Sequence, residues 1–364
     1  MIFIIYYIFL LVCLKTEANS DKPNYRIRKI LAIIYILFTG LRGANVGVDT
    51  PIYYRHYYTY GELGCIFVEP GFDWINRFCY HQGWESWTLF LICTSLTILP
   101  VYFMLNTLNR KEYTISALLF YGTTFVTISN GMRQAVVCGV FLYLMSFFFN
   151  KNRLNKKELS VYIGGILIST LMHVTAIFLL PLLFLSKLHI KRNIYVILYA
   201  LSFAFCFLNI GSYIPYISIG ERDYERYAFG NAVVKQASLL GFTVSSCLRI
   251  IIVYIMYKTN SFKRYRVLSH LVMLAFFLSN LGFNVPIIGR VTMYFSWFVF
   301  IIIAKMFSDY RLMNKRSIAI EWLAIATIYI VLTVYSIISP TNRILPYTIY
   351  WENNNYEKYI DFGL

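Results

Sequence analysis

Charge is what this 364-residue chain lacks most. Asp, Glu, Lys and Arg together make up 14% of it, against roughly a quarter in an ordinary soluble domain. With 59% of its residues hydrophobic, such a chain cannot cover its apolar surface with polar groups, and it is far too apolar to stay unfolded. A water-soluble globule and an intrinsically disordered chain are both excluded. Metal-binding spacing is lacking too: no C-x-x-C pair and no Cys/His cluster occurs, so no structural metal site is expected. There is no D-x-D pair and no glycine-rich nucleotide loop, and nothing in the sequence asks for a cofactor; metal dependence stays open. Of the seven cysteines, Cys13, Cys93, Cys138, Cys206 and Cys247 lie in apolar runs. Cys65 and Cys79 share a polar loop, as two free thiols or, in an oxidising compartment, as a pair.

What is present instead is hydrophobic length. Apolar segments fall near 1–14, 30–41, 87–107, 114–128, 134–149, 160–186, 194–209, 236–257, 267–283, 291–304 and 318–338. A crossing helix needs about 20 residues, so the shorter segments must extend into flanking aromatics or sit in a thinned bilayer. The first segment starts at Met1 with no basic stretch before it and no small-residue cleavage site, and reads as a retained span. The fold class predicted is an all-α polytopic integral membrane protein, a single membrane-embedded domain over 1–364.

Lys and Arg orient the spans, because loops rich in them stay on the cytoplasmic side. Loops 15–29, 108–113, 150–158, 187–193, 258–266 and 305–317 hold 22 of the 33 basic residues. All of them fall on one side if 160–186 enters and leaves by the same face, as two half-helices meeting near Met172-His173. Irregular backbone at that depth is tolerated where protein or a water-filled cavity surrounds it. The expectation is about ten transmembrane helices plus this re-entrant hairpin, a large outer loop at 42–86, and both termini outside. The cytoplasmic side then carries 22 basic and 6 acidic residues, which accounts for the whole net charge of +16. The basic excess is a topology signal, and no nucleic acid partner is expected.

The other side is biased in kind. Nine of its 11 basic residues are Arg: Arg42, Arg55, Arg77, Arg133, Arg222, Arg226, Arg249, Arg290 and Arg343. A guanidinium presents a planar fork to phosphate or carboxylate and stays charged when partly desolvated. Arg-rich mouths of apolar spans suit a phosphorylated lipid; pairing with the outer carboxylates is the plainer alternative. The 17 carboxylates all lie in loops or, for Glu321, at a span edge. That argues against a proton- or sodium-coupled carrier, which generally places an acid inside a span.

The outer loop opens Leu41-Arg42-Gly43-Ala44-Asn45-Val46-Gly47-Val48-Asp49-Thr50 and reaches Tyr53, then Val68-Glu69-Pro70-Gly71-Phe72. Asn130-Gly131-Met132-Arg133-Gln134 follows at a helix start, and Leu171-Met172-His173-Val174-Thr175-Ala176 places a His inside a paired apolar segment. An R-x4-G-x-D-T-x2-Y run, E-P-G-F, N-x2-R-Q and the central His, in that order, resemble the EpsG family of exopolysaccharide proteins. That family is grouped loosely with Wzy-type O-antigen and capsule polymerases. The likeness is carried by residues 30–190; the second half matches mainly by hydropathy.

The resemblance implies glycosyl transfer on the outer face of the bacterial cytoplasmic membrane. The substrate and partner would be oligosaccharide units on undecaprenyl pyrophosphate, in contact with membrane lipid. A flippase and a chain-length regulator of the same pathway would be further partners. Such an enzyme needs a cationic clamp for the pyrophosphate, a base for the acceptor hydroxyl and a groove for lipid tails. Arg42 and Arg133, both in family motifs, are the clamp candidates, and Arg290 joins them by its position after Pro286 and Gly289. Arg249, inside the span 236–257, is either a functional charge or one that snorkels or bonds between helices. Asp49 and His173 are the candidate bases. Glu69 stands before Pro70, which holds it extended, to fix a carboxylate beside the sugar or, the favoured use, to cap the next helix. Tyr53 completes the substrate-binding set. In 210–235, Gly220-Glu221-Arg222-Asp223-Tyr224-Glu225-Arg226-Tyr227 reads first as an interfacial amphipathic helix and second as a glycan-stacking surface. A flippase, an O-antigen ligase, a polyprenyl-phosphate-sugar transferase and an acyltransferase built on His173 are the competing functions.

Overall fold

A computed structural model of the protein describes residues 1–65, 68–149, 151, 154–205, 239–283, 286–311 and 319–350. The loop 210–235 and Cys206 lie outside them. The described chain is helical, and its only extended pairing is an isolated antiparallel bridge between Arg42 and Ile349. The all-helical expectation therefore holds. Among the described residues four helices are long and apolar enough to cross a membrane: Ile2–Asn19, Trp87–Leu105, Gly241–Lys258 and Ile288–Asp309. Beside them stand shorter apolar pieces such as Met132–Ser146 and Arg266–Leu281. Against the expected ten crossings, much of the apolar sequence is thus built in short lengths. The run from 110 to 146 shows why, since it breaks after Thr123 and again at Gly131.

The chain divides into two compact units, one of Met1–Phe147, Asn155–Pro181 and Thr333–Leu364, the other of Phe148–Leu154 and Leu182–Leu332. The first contains α1 (Ile2–Asn19), α2 (Tyr25–Gly40), α3 (Thr50–Tyr60), α4 (Pro70–His81), α5 (Trp87–Leu105), α6 (Arg110–Thr123), α7 (Phe125–Asn130), α8 (Met132–Ser146) and α9 (Lys156–Thr170). Apolar α5 packs between α2 and α8, and α1 lies against α6. Caps mark where polar sequence turns into helix: the Asn24 side chain accepts from the Ile27 amide and Asn109 from Glu112, and Asn155 and Glu158 form a reciprocal capping box.

Segment 160–186 doubles back on itself. Helix α9 ends at Thr170, the chain turns through Leu171–His173, and a 3₁₀ helix (Val174–Lys187) runs away from the bend. The Tyr162 hydroxyl donates to the Leu179 carbonyl at 2.7 Å, which holds the two arms side by side.

The second unit contains α10 (Arg192–Phe205), α11 (Leu239–Lys258), the short α12 (Ser261–Arg264), α13 (Arg266–Leu281), α14 (Pro286–Ser296) and α15 (Phe298–Arg311). Arg266 donates to the Ser186 carbonyl at 2.7 Å, and Tyr195 is hydrogen-bonded to His270, so α10 and α13 are tied at their ends.

Candidate active site

The R-x4-G-x-D-T loop is a closed knot that fixes where Asp49 and Tyr53 stand. Its hub is Thr50, whose hydroxyl donates to the Val46 carbonyl at 2.6 Å and accepts from Arg42 Nε at 3.1 Å. Arg42 Nη1 donates to the Thr39 carbonyl at 2.7 Å, and the guanidinium lies 4.7 Å from the centre of the Phe90 ring. Residues near the C-terminus strap the loop: Gly43 N donates to Thr348 O, Gly47 N to Arg343 O and Tyr350 N to Leu41 O. Gly47 has φ +98°, and a Cβ there would stand 2.8 Å from Asn130 Oδ1, the oxygen that accepts from the Val48 amide at 2.7 Å. Only glycine satisfies both demands, so the first glycine motif and the N-x2-R-Q motif interlock.

Arg42 is fully buried in this knot. Burial pulls its guanidinium down to about 10, which leaves it charged at neutral pH. Its placement is inside the loop rather than at a surface, because Thr39, Thr50 and Phe90 enclose it.

The remaining motif residues meet around Glu69. The Glu69 carboxylate, 3% exposed, forms an ion pair with Arg133 at the start of α8. Its other oxygen lies 3.5 Å from the Val174 amide and 3.9 Å from His173 Nδ1, at the bend of the hairpin. The expected capping use is not how the side chain is deployed. Glu69 stands at the N-cap of α4 with extended backbone but makes no side-chain cap, since the carboxylate turns to Arg133 instead. Arg133 keeps 26% of its side chain exposed and is hydrogen-bonded to Tyr53, with Phe72 5.5 Å away. Burial pushes the Tyr53 phenol up. Asp49, half-buried at the start of α3, acts electrostatically on both Arg133 and Tyr53. His173 Nδ1 is 3.0 Å from the Thr175 hydroxyl. Asp49, Tyr53, Glu69, Arg133 and His173 are therefore gathered in one place from four motifs.

Two further features belong to this cluster and were not foreseen. His56, one turn beyond Tyr53 on α3, is buried 4.0 Å from Asp73, and burial holds its imidazole below its usual value despite that carboxylate. The i, i+3 spacing from Tyr53 was the available signal. The second is the contact that carries Glu69 to the hairpin. Gly71 N donates to the Leu171 carbonyl at 2.8 Å, and a Cβ on Gly71 would stand 2.8 Å from that same oxygen. Gly71→Val is expected to push α4 off the bend and destabilise the protein by about 1–3 kcal/mol. An unchanged thermal unfolding temperature in detergent would refute it.

From this contact an apolar groove of about 550 Å³ runs between α4, α5, α8 and the hairpin, lined by Gly71, Trp74, Leu99, Phe103, Val140 and Leu171 among others. Arg249 and Arg290 belong to the second unit. Arg249 is buried and donates to the Ser246 hydroxyl at 2.7 Å on its own helix, and Arg290 is exposed on α14. Cys65 and Cys79 are both free thiols. No group of three or more potential metal ligands occurs among the described residues.

A helical membrane protein whose acid, arginine and histidine meet beside an apolar groove is the class that fold and geometry define. The family model of the EpsG family matches residues 25–349, and the chain belongs to that family. It is thereby a membrane protein of polysaccharide biosynthesis. No curated protein and no solved structure matches the chain significantly.

Proposed function

We propose that the protein is a glycosyltransferase that polymerises a bacterial surface polysaccharide from undecaprenyl-pyrophosphate-linked repeat units. The observation that carries the proposal is the meeting of Glu69, Arg133 and His173 at a hairpin bend beside an apolar groove. The Lys/Arg distribution supports a site on the outer face of the cytoplasmic membrane with both termini outside.

In the reaction an acceptor hydroxyl oxygen attacks the anomeric carbon of the donor glycan. The bond from that carbon to the pyrophosphate oxygen breaks, and the pyrophosphate leaves with the electron pair. Asp49 takes the hydroxyl proton, with His173 as the second candidate base. The exposed edge of Arg133 meets the charge that grows on the leaving group. Glu69 and Tyr53 hold that guanidinium in place, and Arg42 keeps Asp49 and Tyr53 in register by closing their loop. The groove at Gly71 and Leu171 takes the polyprenyl chain. Asp49→Asn keeps the shape and removes the base, so polymer formation should fall about 10²- to 10⁴-fold; wild-type turnover by that variant would transfer the role to His173.

A gel of surface polysaccharide from a strain lacking the protein, beside one complemented with it, tests the function. The expected result is a ladder reduced to a single repeat unit, restored on complementation. Lipid-linked units trapped inside the cell would indicate a flippase instead, and unattached polymer or units accumulating outside would indicate a ligase.

A further inference from the structure

The second unit carries an apolar groove of its own. It runs between α10 and α11, has a volume of about 740 Å³, and is lined by Val196, Ile197, Ala200, Phe203, Ile250 and Tyr254 among others. Its walls are large exposed apolar side chains: Ile197 is 58% exposed, Ile250 50% and Tyr254 47%. One end is cationic. Arg192 lies 4.3 Å from the centre of the Tyr257 ring and Lys258 Nζ 5.4 Å from that of Tyr254, and both tyrosines line the groove. Among the described residues neither cation has a carboxylate partner. The only carboxylate among this unit's described side chains, Asp309, is already taken by Arg264 at 3.1 Å and by the Tyr265 hydroxyl at 2.8 Å.

We infer that this groove binds one anionic phospholipid, its acyl chain against α10 and α11 and its phosphate between Arg192 and Lys258. Charge complementarity selects the occupant. The open end holds two exposed cations over aromatic rings with no acid partner among the described residues, and a phosphodiester supplies the missing charge. Both residues lie in the Lys/Arg-rich loops that mark the cytoplasmic side, the leaflet where anionic lipid meets basic side chains. A volume of 740 Å³ also lies within the range of small-molecule sites.

The test is native mass spectrometry of the detergent-purified full chain, titrated with dioleoylphosphatidylglycerol or dioleoylphosphatidylcholine. One phosphatidylglycerol should be retained in preference to phosphatidylcholine. The double variant Arg192→Gln/Lys258→Gln should weaken phosphatidylglycerol about thirtyfold, from two surface charges acting on one phosphate, with phosphatidylcholine unmoved. Ala200→Trp, at an exposed position in the groove, should remove both lipids. Equal retention of the two lipids by the unaltered protein would overturn the inference, and so would an unchanged preference in the double variant. A dimer that dissociates in Ala200→Trp would assign the groove to a second copy of the chain and overturn it as well. Because Arg192 and Lys258 are exposed, the double variant decides the matter even if Ala200→Trp fails to fold.

Discussion

Arg133→Ala should abolish polymer while leaving the protein in the membrane. Removing a group aimed at charge that develops in the transition state slows a reaction about 10²- to 10³-fold. Here the loss should be at the upper end, because Arg133 also anchors Tyr53 and neutralises Glu69. Its removal strands a carboxylate that is 3% exposed, and an uncompensated buried charge costs about 3–5 kcal/mol locally. Two variants separate the local damage from the lost chemistry. Arg133→Met with Glu69→Gln removes both charges together, so the fold should recover while polymer stays absent. Arg133→Lys keeps the charge but not the planar fork that spans Glu69 and Tyr53, so it should restore only a small part of the activity. The readout is polymer per unit of membrane-inserted protein. Full-length polymer from Arg133→Ala would remove this residue from the site.

The largest effect on stability is expected from Glu17→Ala, far from the chemistry in sequence. Glu17 and Arg28 join α1 to α2, and both side chains are completely buried. Glu17 Oε1 accepts from Arg28 Nε at 2.9 Å and Nη2 at 2.7 Å, and Oε2 accepts from the Asn24 amide at 3.0 Å. The guanidinium also lies 3.9 Å from the centre of the Tyr113 ring on α6. Taking away the acid leaves a buried cation without an opposite charge, with an expected loss of about 3–5 kcal/mol. Replacing both members by Met should be much milder, because the desolvation of two charges is then avoided. Thermal unfolding in detergent measures the difference. Equal losses in the single and double variants would mean that shape rather than charge pairing holds this joint.

Much of the architecture was legible because it follows from hydropathy and charge alone. Long apolar runs required helices, and 160–186 bends at Leu171–His173, where the Tyr162–Leu179 bond holds its two arms together. Helix lengths were less legible. An apolar run reads the same whether or not it breaks at Thr124 and Gly131, since those breaks depend on what packs against them. Within the site, the motifs marked Asp49, Tyr53, Arg133 and His173 but not how they combine. A Glu before a Pro suits a helix cap as well as an ion pair, and the partner of Glu69 stands 64 positions away. Arg42 shows the opposite case. Its motif marked it as special, yet only packing distinguishes a guanidinium that faces substrate from one that closes a loop. His56 went unremarked because its i, i+3 spacing from Tyr53 says nothing of its contact with Asp73.

The most direct measurement is elongation by the purified protein supplied with a single lipid-linked repeat unit and nothing else. The proposal predicts a ladder of glycans that still carry pyrophosphate lipid, with one undecaprenyl pyrophosphate released per bond formed and none from Arg133→Ala. Units that stay single, or that lengthen only when a nucleotide sugar is added, would contradict it.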